Sequence, residues 1–171
     1  MANTMFLISK IVVGAGGVST LSFTSIPQTY SDLYIKASLR TNANGEADNC
    51  ILSVNGSTAN IGWARLYGEG TGIGANTSVT STNISMVTAA NTLTANVFGN
   101  GDLYLPDYTT SKNKTLVGTS CTEKNGTVSY QYSTGMHINN SAAITSLSFA
   151  PVTGPNFVEH STIYLYGINN S

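Results

Sequence analysis

Only two imidazoles, His137 and His160, are available in these 171 residues as general bases near neutral pH. His137 lies in the run Gly135, Met136, Ile138, and His160 follows Glu159 just before the last apolar alternation, so neither sits in a recognised nucleophile and base pattern. A hydrolase of the nucleophile-elbow kind needs Gly-x-Ser-x-Gly between a strand and a helix, and that motif is absent. Paired acids for glycoside cleavage stand roughly 5 to 10 Å apart across a groove. The eight acids Asp32, Glu46, Asp48, Glu69, Asp102, Asp107, Glu123 and Glu159 are scattered over the whole length, and nothing selects a pair.

Ligand-holding patterns are equally thin. The glycines at 68, 70, 72 and 74 lack the third glycine of a dinucleotide loop and a following helix N-terminus that would hold an anion. Gly99-Asn100-Gly101-Asp102, with Asp107 beyond Pro106, supplies hard oxygen ligands of the type calcium takes, without a calcium-loop spacing. Cys50 and Cys121 stand apart without the short paired spacing of a zinc site, and read as two buried free thiols. No catalytic residue, cofactor or metal is expected, and the chain reads as not an enzyme. Among the aromatics, Trp63, Tyr67, Tyr104, Tyr108, Tyr130, Tyr132, Tyr164 and Tyr166 could stack on a sugar ring. Most alternate with apolar residues, so packing against a sheet or a neighbouring subunit is their expected use. Trp63 and Tyr67 are the candidate glycan-stacking pair if the chain binds carbohydrate.

Whatever these residues do, short extended segments must position them. Leu33, Ile35, Ala37 and Leu39 form one apolar face while Asp32, Tyr34, Lys36, Ser38 and Arg40 alternate on the other, the period of a half-buried strand. Further strands are expected over 5–13, 20–24, 49–54, 61–67, 79–88, 96–105, 115–123, 127–137, 144–150 and 161–168. Asn55-Gly56 and Asn125-Gly126 both tolerate positive φ, as primed hairpin turns require, and predict antiparallel pairing. The glycine-rich segment 68–81 reads as a long mobile loop. Apolar residues at helical spacing are missing from every window of 12 or more residues, so almost no helix is expected. Many short strands in one chain of this length predict an all-β fold, an antiparallel two-sheet β-sandwich of jelly-roll type with about eight core strands, as a single domain over 1–171.

Composition bounds the partners. Seven basic and eight acidic residues leave a formal charge of -1, and charged side chains make up 9% of the chain where about 25% is usual. Asn, Ser and Thr supply more than a third of the residues. No cluster of Lys or Arg exists to release counterions from nucleic acid, so DNA and RNA are not expected partners. The apolar run near the start, Met5 to Ile8, is too short for a signal core or a membrane span. Near-neutral surfaces tend to associate. Hydroxyl and amide groups satisfy hydrogen bonds at an interface without the desolvation penalty of ions, so this exterior suits a permanent assembly.

Several stretches resemble a known group. Met1-Ala2-Asn3-Thr4 ahead of an apolar strand, Val13-Gly14-Ala15-Gly16-Gly17, and Phe23 through Leu33 are similar to small virion proteins of tailed bacteriophages, especially marine and cyanobacterial ones. Asn55-Gly56 leading to Arg65-Leu66-Tyr67-Gly68, and Ser161 through Ile168 at the end, resemble the middle and closing strand of that group. The resemblance spans nearly the whole chain and rests on turns and strands rather than on a chemical signature. It implies a jelly roll mounted on a phage particle, either a capsid decoration (cement) protein or a fibre or receptor-binding module. Fibre versions are carried on stalks, and the absence of stalk heptads favours decoration. The implied partners are the major capsid protein and sister subunits in a homotrimer, on the outer surface of the capsid. Residues 1–13 are the candidate anchoring or strand-exchanging arm.

Overall fold

The computed structural model describes residues 4–79, 83–125 and 128–170. Period-two alternation becomes twelve strands: β1 (Met5–Val12), β2 (Leu21–Phe23), β3 (Asp32–Leu39), β4 (Ala47–Val54), β5 (Ile61–Glu69), β6 (Gly72–Ser78), β7 (Met86–Ala89), β8 (Gly99–Leu105), β9 (Lys114–Glu123), β10 (Ser129–Ile138), β11 (Leu147–Pro151) and β12 (Thr162–Ile168). Among the described residues there is no helix. The strands form two antiparallel sheets, a large one in the order β1-β12-β3-β8-β9-β10-β5-β6 and a small one in the order β2-β11-β4-β7.

Setting aside β5, β6, β9 and β10 leaves eight strands that alternate between the sheets as the chain advances, except that β4 and β7 both lie in the small one. Each sheet then pairs early strands with late ones, β1-β12-β3-β8 in one and β2-β11-β4-β7 in the other. That is the double Greek-key winding of a jelly roll. The two pairs set aside extend the large sheet on one side, as a block in the order β9-β10-β5-β6.

The core lies between the sheets. Leu33, Ile35, Leu103, Leu105, Ile163 and Leu165 from the large sheet meet Cys50, Leu52 and Phe149 from the small one, all fully buried. Burial of each large aliphatic side chain contributes about 1.5–3 kcal/mol, enough in sum to hold a sandwich of this size without cross-links.

Charged groups also sit inside, as clamps on irregular backbone. Arg40, 7% exposed, donates from both terminal nitrogens to the carbonyls of Asn91, Leu93, Thr94 and Val97 and shapes the loop before β8. Asp48, buried between β4 and the loop after β11, accepts from Thr41, Thr153 and the main-chain nitrogens of Asn49, Thr153 and Gly154. Lys114, 2% exposed, places Nζ against the carbonyls of Thr110 at 2.8 Å and Ala142 at 2.6 Å. Most of these partners are main-chain groups from segments distant in sequence, so no motif announces them.

Several expectations change here. Asn55 and Gly56 do adopt φ of 50° and 79°, and Val54 and Ser57 close the turn by mutual main-chain bonds. The turn nevertheless carries the chain from the small sheet to the large one, because β4 pairs with β11 and β7 and not with β5. Asn125, with φ 35°, lies between the paired strands β9 and β10, while Gly126 is outside the described residues. Thr127, the expected start of a strand, is also outside them. The expected strand over 79–88 is regular only from Met86, and 80–82 lie outside the described residues.

The expected loop over 68–81 is instead largely strand: β5 runs to Glu69, a short turn follows, and β6 pairs along it from Gly72 to Ser78. Thr77 Oγ1 donates to the Trp63 carbonyl at 3.0 Å and helps fix that pairing. Residues 5–12 of the expected arm form β1, which is seated on β12 at one end of the large sheet.

Candidate functional site

Alternation divides the large sheet into an inner face on the core and an outer face, and the outer face has two chemically distinct halves. On β12, β3 and β8 the outward residues include tyrosines and ionisable groups. Tyr164 and Tyr166, two positions apart on β12, stack with centroids 6.1 Å apart, and Tyr34 on β3 approaches Tyr166 at 6.4 Å. Lys10 on β1 lies 5.3 Å from the Tyr164 ring centre.

Two carboxylates anchor this half. Asp102 accepts from the Tyr34 hydroxyl at 2.8 Å and from the Thr119 hydroxyl and main-chain nitrogen. Burial works to raise its pKa, but the bonds from Thr119 and Tyr34 and the charge of Lys36 outweigh it, so Asp102 stays ionised below the usual carboxylate range. Tyr34 is pushed up to about 12, by burial first and then by Asp102. Asp32, 1% exposed, accepts from Tyr104 at 2.6 Å, the Asp107 nitrogen and Asn170; these bonds outweigh its burial, and its pKa is lowered. Beside this network Lys36, Asn100, Asp102, Thr119, Cys121 and Gln131 line a depression of about 250 Å³. Its amides, carboxylate, ammonium and hydroxyl are hydrogen-bonding groups suited to a polar, hydroxylated ligand.

The other half is the block β9-β10-β5-β6, and the three central rows of its outward residues are uncharged. Across the strands run Val117, Gly135, Ala64 and Thr77, then Thr119, Ser133, Leu66 and Ala75, then Cys121, Gln131, Gly68 and Ile73. Leu66 is 66% exposed, Ile73 92% and Val117 54%. Leu66 and Ile73 are diagonal neighbours on β5 and β6, while Val117 stands two strands away from Leu66 on β9.

Trp63 and Tyr67 alternate the other way, onto the inner face. Trp63 is 9% exposed and belongs to the core cluster, so its ring packs rather than offering an open platform. Tyr67 is half-buried, lies over Gly74 of β6, and meets Tyr132 edge-on at 6.1 Å. A Cβ at Gly74 would come within 2.6 Å of the Tyr67 ring, so glycine is what admits that ring. Together Trp63, Tyr67 and Tyr132 surround the Arg65 guanidinium at 5.5, 5.1 and 4.2 Å. The pair named for glycan stacking under the carbohydrate-binding alternative thus builds a cation box inside the extension. Tyr34, Tyr164 and Tyr166 are also half-buried but lie on the outer face, and only strand pairing reveals that they share it.

The remaining titratable groups are dispersed. His137 stands exposed on the outer face of β10, opposite Gly62 and Thr115, and His160 sits in a turn with φ 71° before β12. Cys50 is buried, and burial together with Asp48 pushes its thiol far up. Cys121, expected to be buried, is exposed on β9, because the alternation through Thr119-Ser120-Cys121-Thr122 turns Ser120 and Thr122 inward. Among the described residues no group of three or more His, Cys, Asp and Glu side chains is placed to hold a metal ion.

No protein-family model and no curated protein matches the chain. Among solved structures it is similar to galectin LEC-6 of Caenorhabditis elegans, at 6% identity and a TM-score of 0.35, covering 94% of this chain and 96% of that one. A likeness at that distance assigns no ligand.

Proposed function

We propose that this chain is a phage virion structural protein, a capsid decoration (cement) protein that binds the assembled head and stabilises it. The observation that carries the reading is the character of the exterior. Four of the 15 charged residues, Asp32, Arg40, Asp48 and Lys114, are buried as internal clamps, while Leu66, Ile73 and Val117 stand exposed on the outer face of the sheet extension. Such a surface suits lasting contact with neighbouring subunits rather than free diffusion. The resemblance of the opening, middle and closing strands to small phage virion proteins points the same way. The partners are the major capsid protein and sister subunits in a homotrimer on the outer surface of the capsid, with no catalytic step.

Reinforcement follows from mass action. A protein that binds only the assembled lattice stabilises that lattice in proportion to the logarithm of its free concentration over its dissociation constant. Heads stripped of the protein should therefore lose their DNA at a lower temperature, and re-addition should restore the original value. Stripped heads that neither bind the protein nor change their release temperature would exclude the role.

A second reading is favoured by one observation. The outward tyrosines beside Lys36, Asn100, Asp102 and Gln131 form a polar and aromatic surface on the outer face, as a carbohydrate-binding or receptor-binding module on the tail would need. Its test is adhesion to host cells or a glycan array, with loss on replacing Lys36 or Tyr164 by Ala.

A further inference from the structure

The two ends of the large sheet are guarded very differently. At one end β1 breaks register between Leu7 and Ser9 and carries Lys10, two devices that discourage a further strand from adding. At the other end β6 pairs with β5 without a register break, has no proline and no charge, and among the described residues has β5 as its only partner strand. The neutrality is wider than the strand: from Gly70 to Gly101 the chain contains no Asp, Glu, Lys, Arg or His. Apolar side chains gather at the same border, with Ile73 92%, Val79 88% and Leu66 66% exposed.

We infer that β6 pairs with β6 of a second copy of this chain, antiparallel across a two-fold axis, so that the two large sheets become one continuous sheet. An unpaired strand edge is complementary to another extended strand through its main-chain groups. The neutral edge can face itself without like charges meeting. Two-fold pairing also closes, whereas pairing β6 with β1 of the next copy would set it against the bulge and Lys10 and generate an open chain of subunits.

Centred on Ala75, this register places Ala75 opposite its counterpart and Ile73 of each copy opposite Thr77 of the other. The outward side chains Ile73 and Ala75, with Leu66 behind them, then form one apolar strip across the join. Seven paired residues span about 24 Å, so the contact falls among small, reversible interfaces. It is a two-fold contact, separate from the trimer of the proposed function, and holds whether or not the protein resides on a capsid.

The test is sedimentation of the full chain from micromolar to near-millimolar concentration, beside Ile73→Lys. Ile73 is almost wholly exposed, so the variant should keep its circular dichroism spectrum while placing a charge on the edge. The expected result is a twofold fall in limiting mass, dimer to monomer or hexamer to trimer. In a Cys121→Ser background, Ala75→Cys should form an oxidised covalent dimer, and adding Ile73→Lys should suppress it. A wild-type mass unchanged by Ile73→Lys, or no cross-link through Ala75→Cys where the protein is concentrated, would overturn the inference. Failure of the protein to bind heads would leave these readings untouched.

Discussion

The guanidinium of Arg65 on β5 lies 4.2 Å from the ring centre of Tyr132 on β10, with Trp63 and Tyr67 closing the box around it. Its Nε and Nη1 are buried and have no hydrogen-bond partner. Nη2 donates to the Asn76 side-chain oxygen at 3.2 Å, so one hydrogen bond and three rings hold this cation. The rings should matter more than the charge. Arg65→Met keeps the apolar stem and removes the unpaired donors, and should change unfolding free energy by no more than about 1 kcal/mol. Tyr132→Ala should lose about 3–5 kcal/mol. Denaturant titration of both variants checks the order, and a larger loss for Arg65→Met would mean that the guanidinium, rather than the rings, holds this corner together.

Lys114 binds two segments, 106–113 and 139–143, through main-chain carbonyls and no carboxylate. Burial pushes its amine below the usual lysine range. Lys114→Met fills the space but leaves the Thr110 and Ala142 carbonyls without their donor. The expected loss is about 2–3 kcal/mol, measured by urea unfolding. Hydrogen exchange should quicken first in those two segments.

The carboxylates Asp32 and Asp102 set the acid limb. Both are lowered on folding, so their contribution is complete above the unfolded value near 4 and is withdrawn as pH falls through the lower folded values. Asp32→Asn should remove part of that acid dependence and weaken the fold by about 2 kcal/mol at neutral pH. Unfolding free energy followed from pH 7 to pH 2 gives both numbers.

The alkaline limb has the opposite sign. Tyr34 titrates near 10 when unfolded and at about 12 when folded, so its contribution is complete below pH 10 and disappears as pH rises toward 12. Tyr34→Phe should flatten the fall in stability over that interval. An identical slope in both proteins would show that the phenol is not held by Asp102 in solution.

Alternation made most strands legible before any coordinates. Leu33, Ile35, Ala37 and Leu39 are all buried, and Thr115 through Glu123 falls on β9 as expected. Strand β6 was not legible, because Gly72, Gly74, Asn76 and Thr77 have low or mixed strand preference and are held by pairing with β5 and by the Tyr67 ring. Asn55-Gly56 gave its backbone conformation away but not its destination, since a primed turn fixes local twist and not which sheet receives the next strand. Trp63 stays open between packing and glycan stacking in the sequence, because a lone tryptophan carries no mark of which face it occupies. Its neighbour Ile61, two residues away and 1% exposed, is the signal that could have placed it inside. The outward tyrosines come from strands β3 and β12, far apart in sequence, and meet only through the register that sets Tyr34 opposite Tyr166.

Arm deletion is not a clean probe of attachment. Ile8 and Ile11 pack against the core and Val13 is 2% exposed, so removing residues 1–13 takes away a structural strand. Truncation should lower stability by about 3 kcal/mol or more, and thermal unfolding of the truncated chain tests this. The outward residues Leu7 and Val12, both more than half exposed, are the better targets. Leu7→Lys with Val12→Lys should leave the fold intact and weaken binding to heads if β1 faces the shell.

Location on the particle tests the central claim most directly. Quantitative mass spectrometry of purified virions, scaled to the major capsid protein, should return hundreds of copies of this chain per particle. A few dozen copies or fewer would place it on the tail and contradict the assignment as a decoration protein of the head.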